Sequence, residues 1–447
     1  MQKDSKQTRR DFLKTSGVIA ASAGLVSGLS VSRSAHAQGS DLIKVALVGC
    51  GGRGRGAGED RLDVGDNMKL VAVADAFESN AKNAADAFRA MNDDEKYKGK
   101  VDLPEDRVFA GFDAYKKAID LCDQVLIATP PGFRPSHYAY AIDKNKHVFM
   151  EKPLTTDAAG FRSLLETNKK AEEKGLTVVV GLQRRHGLDY NEWVKRIHDG
   201  QIGDVVCTRV YWNGGDIWYR DRQAGQNEMQ FQMNNWYHFV WLSGDNITEQ
   251  HIHNLDVGNW IHGKGDKMAH PVKAYGMGGL QARDKKKGHD GEIFDHHAVE
   301  FEYADGSRMF SQCRQIDNTW SPVEEHVHGT KGIGGNCWLN SKDEKWSFKG
   351  KNPNHYKLEH IDQVDAIRNG KKLHDGWFGT FSSMISVMGR MATYSGQVIS
   401  WDEVVEKGTT AFPHGKELTW DTNPPNMPNA DGHYPVAVPG KFNPFAG

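Results

Sequence analysis

The sequence predicts an α/β protein: an N-terminal doubly wound parallel sheet, followed by an α+β domain on a large, mostly antiparallel open sheet. Three observations carry this. Residues 43–150 alternate short apolar strands with helical stretches, the strands falling at 43–48, 69–74, 124–128 and 147–150, as a parallel sheet covered on both faces requires. The first strand, Val45-Ala46-Leu47-Val48, runs directly into a turn with Gly49, Gly51 and Gly54 in G-x-G-x-x-G spacing. From about Asp204 the text changes to long strands, VVCTRVYW and HHAVEFEYADGSRMFSQC, the second broken by a turn at Asp305-Gly306, which reads as antiparallel pairing.

In chain order, the N-terminus reads TRRDFLK from Thr8 to Lys14, then a mildly apolar run to Val31 and the small-residue site Ala35-His36-Ala37. This is the pattern of a twin-arginine export signal, so residues 1–37 are set aside from the fold and a periplasmic or otherwise exported location is expected. The apolar run is too short and too rich in Ser and Gly for stable membrane insertion.

The glycine turn comes next. Its first glycine allows the tight turn, the second lets the backbone approach a pyrophosphate, and the third lets the following helix pack close to the strand with its N-terminus toward the anion. Gly52 and Arg53 share that turn. The second strand ends in Asp75, about twenty residues beyond the last glycine, where an acidic side chain holds the adenosine ribose hydroxyls. The expected unit is a dinucleotide-binding Rossmann domain over 41–153.

A helix is expected over Ala81–Met91 and a solvated insertion over Asn92–Lys100. Thr129-Pro130-Pro131 makes a stiff turn at the carboxyl end of the strand at 124–128, the edge where ligands of such sheets bind. Thr155, Thr156 and Asp157 can cap a helix running to Lys174 and stopping at Gly175, before a strand at Thr177–Val180. The second domain is set at 154–415. Its last helices, around 360–371 and 380–394, are expected to pack back on the first domain, with 416–447 an extended tail.

Composition excludes some partners. The 56 Lys and Arg nearly balance the 58 Asp and Glu, for a net charge of -2, so nothing provides the basic field that nucleic acid binding needs. The five cysteines are an odd number without a CxxC pair, which favours free thiols over a disulfide framework. The 12 tryptophans and 20 histidines suit a carbohydrate cleft.

Together, VALVGCGGRGRG, VADA, IATPP with a following His, and MEKP resemble the glucose-fructose oxidoreductase, inositol dehydrogenase and MocA (Gfo/Idh/MocA) family. The resemblance implies a nucleotide-binding domain followed by an α/β domain with an open sheet, and oxidation of sugar, cyclitol or related hydroxyls with NAD or NADP. The family's EKP signature falls on Glu151, Lys152 and Pro153, which puts the catalytic lysine at Lys152. Its D-x-x-x-H-x-x-D helix has one counterpart, TEQHIHNLDVGNW, where His253 and Asp256 match and Glu249 replaces the leading aspartate.

Oxidising an alcohol needs a base within hydrogen-bond reach of the hydroxyl proton, and Lys152 and His253 are the candidates. A lysine partly desolvated beside a positive nicotinamide is driven toward neutrality. Glu249 and His253 are four apart, so on one helix the carboxylate can orient the imidazole. No metal is expected, because His251 and His253 point to opposite sides of a helix. Arg184, Asp256 and Trp212, with Trp218 and Tyr219, are the expected substrate contacts. Asp75 favours NAD by repelling a ribose 2′-phosphate, while Arg53 and Arg55 keep NADP open. Outside the cytoplasm no abundant nicotinamide pool exists, so the cofactor is expected to stay tightly bound and be regenerated in place.

Three functions remain in play. The first is an oxidoreductase moving hydride between a sugar, polyol or glycoside hydroxyl and the bound nicotinamide. The second is an NAD-dependent glycosidase working by oxidation, elimination and re-reduction, with Tyr190, Tyr211 or Tyr237 as base. The third is a non-catalytic carbohydrate-binding protein. An exposed sheet face favours a homodimer or homotetramer.

Overall fold

A computed structural model describes residues 42–283 and 290–445, so the expected export signal lies outside the described residues. The first sheet has six strands, β1 (Ile43–Val48), β2 (Met68–Asp75), β3 (Val108–Ala110), β4 (Gln124–Ile127), β5 (His147–Met150) and β6 (Val178–Val180). They run in the order β3-β2-β1-β4-β5-β6, and every pair is parallel. Strand order reverses between β1 and β4, which opens a crevice at their carboxyl ends. Continuous apolar text marks these strands because helices cover both faces: Val45 and Leu47 pack into one core, Ala46 and Val48 into the other. β3 was not expected, since three half-exposed residues carry no period.

The helices obey their local signals. Gly52–Asp63 follows the glycine turn, and Glu78–Met91 begins three residues before the expected start. Helix Ala158–Glu173 is capped by Asp157, whose carboxylate accepts the Gly160 N–H at 2.8 Å, and Gly175 ends it with φ +64°.

The second sheet has nine strands: β7 (Val205–Gly214), β8 (Lys273–Gly279), β9 (His296–Glu302), β10 (Arg308–Gln315), β11 (Val323–Gly329), β12 (Gly332–Gly335), β13 (Trp338–Ser341), β14 (Lys345–Ser347) and β15 (Ile399–Ser400). The order is β14-β13-β12-β11-β7-β10-β9-β8-β15, and only β7 with β10 is parallel. Hairpin β9–β10 turns through Gly306 at φ +85°, as Asp305-Gly306 predicts. Val210, Val299, Phe301 and Met309 form the inner face, under helix Gly376–Ser395. The outer face leaves Met277 and Phe310 exposed.

Helix His355–Asn369 lies on the parallel sheet, where Gln363 donates to the Val148 carbonyl at 2.7 Å. Helix Gly376–Ser395 mostly covers the nine-stranded sheet and touches β6 where Gly379 meets Val180. Residues beyond Gly408 contain no helix or strand among those described, yet Phe412 and Tyr434 are buried.

Candidate functional site

The crevice at the carboxyl ends of β1 and β4 is one end of a cavity of about 540 Å³ that continues to the inner face of the nine-stranded sheet. The glycine turn shapes this first end. Gly49 has φ +96°, and a Cβ there would lie 2.6 Å from the Ala128 carbon and the Thr129 nitrogen. A Cβ on Gly54 would lie 1.9 Å from the Gly49 carbonyl oxygen, so only glycine lets the helix approach the turn this closely. Gly51 and Gly52 instead face open space, with nothing within 4 Å of a Cβ, and no side chain caps the helix they begin. Together they form an anion cradle: bare backbone at a helix N-terminus, with room for a pyrophosphate.

Asp75 closes β2 beside the cradle. Its carboxylate accepts the backbone N–H of Cys50 at 2.7 Å and of Phe77 at 2.9 Å, so it is fixed in place, and burial pushes its pKa up. Thr129 and Pro130 line the opposite wall, from the turn after β4. Arg53 is held by partners within the protein. Its Nε donates to Glu151 at 2.5 Å, its Nη2 lies 3.6 Å from Glu359, and its guanidinium sits over the Tyr356 ring at 4.8 Å. The Arg53 charge is thus already neutralised within the protein, which weakens it as a partner for a 2′-phosphate.

At the other end, β5 delivers Glu151 and Lys152 to the cavity, ahead of a cis Lys152–Pro153 peptide. The Lys152 ammonium donates to Glu249 Oε1 at 2.9 Å and to the Glu249 backbone carbonyl, with both side chains 10% exposed. Lys152 is therefore held by an ion pair rather than standing alone. This also corrects the expected role of Glu249. The chain is not one helix here: Asn246–Glu249 is a single turn, Gln250 and His251 break it, and a new helix runs Ile252–Gly263. The four-residue spacing therefore does not aim the carboxylate at His253.

His253 begins that second helix and stacks on Trp212 of β7, with ring centroids 5.6 Å apart and planes 23° apart. Burial, reinforced by the Lys152 and Arg184 charges, holds its imidazole well below its ordinary pKa, so the ring is neutral at pH 7. His253 Nδ1 and Glu249 Oε2 are buried without a hydrogen-bond partner, two unmet polar groups at the reacting end of the cavity.

Gly49, Gly51, Gly52, Arg53, Gly54, Asp75, Thr129, Pro130, Glu151 and Lys152 all line this one cavity, and so do Trp212, Glu249 and His253. Arg184 and Asp256 do not. Arg185 grips the Asp256 carboxylate at 2.8 and 2.9 Å, and Ser382 donates to it at 2.8 Å. Arg184 is paired with Glu325 on β11. Both expected substrate contacts are thus consumed by internal ion pairs. Trp218 and Tyr219 also lie outside the lining, as do Tyr190, Tyr211 and Tyr237.

Lining residues that sequence reasoning missed include Phe77, Asn80, Phe112, Tyr115, Met233, Trp236, Gln250 and Tyr356. Phe77 and Asn80 follow Asp75 closely and were within reach of that motif; Tyr356 arrives from a much later helix, His355–Asn369, without a local signal. His251 packs inward, with Nε2 2.8 Å from Ser311 Oγ, and no group of three or more His, Cys, Asp or Glu is arranged to hold a metal among the described residues. The five cysteines are free.

Comparison with known proteins agrees with the geometry. Residues 43–182 match the model of the GFO_IDH_MocA oxidoreductase family, an NAD-binding Rossmann fold. An inositol 2-dehydrogenase of Rhizobium meliloti is 26% identical over 267 residues, 60% of this chain and 67% of that protein. One from Corynebacterium glutamicum is 27% identical over 146 residues, 33% of this chain and 37% of that protein. The chain thus spans from about one third to two thirds of the length of these relatives.

Among solved structures, scyllo-inositol dehydrogenase of Lactobacillus casei with bound NAD(H) and scyllo-inositol superposes with a TM-score of 0.59 at 18% identity, over 80% of this chain and 99% of that one. Aldose-aldose oxidoreductase of Caulobacter crescentus gives 0.60 at 15% identity, over the same shares. These two share the fold. The parallel sheet, the glycine cradle and the Glu151-Lys152-Pro153 turn all lie within residues 43–182, the part of this chain that matches the NAD-binding Rossmann fold of the GFO_IDH_MocA oxidoreductase family, and inositol dehydrogenases are among the chain's homologues.

Proposed function

We propose that the protein is an NAD-dependent oxidoreductase that moves hydride between a secondary hydroxyl of a sugar or polyol and a nicotinamide it keeps bound. One observation carries this reading: a single cavity joins the glycine cradle and Asp75 to Lys152, Glu249 and His253. When bound, the nicotinamide supplies the hydride acceptor. Gly51 and Gly52 would hold its pyrophosphate, and Asp75 the adenosine ribose. Asp75 and the already paired Arg53 favour NAD over NADP.

The chain's own residues supply the proton chemistry. Neutral His253 accepts the hydroxyl proton. Lys152, steadied by Glu249, donates to the same oxygen and stabilises the negative charge that develops as the proton leaves. Trp212 and Trp236 offer apolar platforms for a ring whose hydroxyls lie in the ring plane. The names of the inositol dehydrogenase relatives support a polyol or sugar as substrate.

The twin-arginine pattern supports export of the folded protein, and a cofactor that stays bound would then have to be reoxidised in place by a second substrate. The exposed outer face of the nine-stranded sheet, with Met277 and Phe310, supports a homodimer or homotetramer.

The test is a single-turnover screen. Protein loaded with NAD is mixed with sugars and polyols, and appearance of reduced nicotinamide is followed by absorbance, then its loss on adding a ketose or aldonolactone. Reduction by at least one polyol in wild type but not in Lys152→Met supports the reading. A screen in which no hydroxyl compound reduces the bound NAD counts against it.

A further inference from the structure

The adenosine end of the cavity is walled by Phe77, after β2, and Phe112, after β3. Both rest on one side chain from the far end of the chain: the Trp420 ring lies 4.7 Å from Phe77 and 4.8 Å from Phe112, centroid to centroid. Trp420 belongs to the tail, which crosses this edge of the molecule without helix or strand yet is fastened on both sides of it. Upstream, Asp157 accepts the N–H groups of Ala411 and Phe412, each at 2.8 Å. Downstream, Tyr434 is buried against Phe239 at 4.8 Å, and its hydroxyl donates to Glu228. Between them, Asn227 donates to the Trp420 carbonyl at 2.8 Å. Long connections without secondary structure are usually functional or disordered, and ordering one is entropically costly, so a tail fixed at three points across a ligand cavity calls for a role.

We propose that Trp420 is a positioning residue of the dinucleotide site: the tail carries it across the cavity edge, where it holds Phe77 and Phe112 closed over the adenosine, so that a bound dinucleotide leaves only when the tail lifts. The inference rests on the reading of the cavity as a dinucleotide site. It gives a retained cofactor a structural cause, since retention then comes from a barrier to exit and not from tighter contact with the phosphates.

The test measures release. Protein loaded with NADH is mixed rapidly with excess NAD, and loss of bound-NADH fluorescence gives the dissociation rate for wild type, W420A, W420L and W420F. The expected result is release at least tenfold faster in W420A, slowest in W420F among the variants, with thermal melting close to wild type. W420L keeps apolar bulk under the two phenylalanines without a ring and replaces W420A should that variant not fold. Wild-type release rates in W420A or W420L would overturn the role of the tail while leaving the cavity's reading intact. Failure of wild type itself to bind NADH would overturn both.

Discussion

Removing the Glu249 carboxylate isolates a buried ammonium, and the structure says how much that should cost. The Lys152–Glu249 contact is 2.9 Å with both side chains 10% exposed. At an effective dielectric of about 20 the gross attraction at that separation is about 6 kcal/mol, most of it offset by the desolvation of two ions. Breaking one side of such a pair typically costs about 3–5 kcal/mol. Lys152 keeps the backbone carbonyl of residue 249 whatever the side chain, so Glu249→Ala belongs at the low end, about 3 kcal/mol. Glu249→Gln keeps a neutral oxygen acceptor and should lose about 1–2 kcal/mol.

Urea denaturation of wild type, both variants, Lys152→Met and the Glu249→Ala/Lys152→Met double variant measures this directly. The double variant should recover part of the loss, because it no longer buries an unpaired charge, giving a coupling energy of about 1–3 kcal/mol. Additive effects with no coupling would refute the argument that Glu249 serves to hold Lys152.

Further expectations follow from the same geometry. Replacing His253 by Asn should lower kcat by about 10²–10⁴-fold if the imidazole takes the hydroxyl proton, and the acid limb of the wild-type pH–rate profile should lie well below pH 6.5; a limb at or above that value would contradict a buried, neutral His253. Gly54→Ala should abolish dinucleotide binding measured by calorimetry, since its Cβ would meet the Gly49 carbonyl oxygen at 1.9 Å. Asp75→Ser should shift the NAD to NADP preference by about tenfold, or about 1.4 kcal/mol, in steady-state kcat/KM.

His186 offers a pH test away from the cavity. Burial lowers its pKa, but hydrogen bonds to Asp362 and Asp375 outweigh that and raise it to about 10. A raised pKa stabilises the fold fully below the unfolded value of about 6.5 and loses that contribution as pH climbs through about 10. The difference in melting temperature between wild type and His186→Gln should therefore be large at pH 6 and shrink toward pH 10.

The first half of the site was legible because it is contiguous. A parallel strand, its glycine turn and the acid ending the next strand lie within the stretch Ile43–Asp75, and each is written in residue types that the backbone geometry demands: only glycine tolerates φ +96° at Gly49 or the approach at Gly54. The second half gathers Trp212 from a strand, Glu249 and His253 from two separate helices, and Tyr356 from another, with no local pattern to join them. Glu249 misled because a four-residue spacing reads as one helical face, whereas Gln250 and His251 interrupt the helix. Asp256 and Arg184 misled because a sequence names a charge and not its partner. Arg185 and Glu325, distant in sequence from the groups they bind, settle where those charges point. The buried Tyr434 was hidden in a tail rich in Pro, Asn and Gly, whose composition predicts extension and is silent about packing, and the buried Phe412 lies just ahead of that tail.

The most direct test of the account is to purify the full chain gently, denature it, and identify any released nucleotide by mass spectrometry against the protein concentration. Stoichiometric NAD or NADH is the predicted result and would establish a resident cofactor; an empty protein that also fails to bind added NAD or NADP would contradict it.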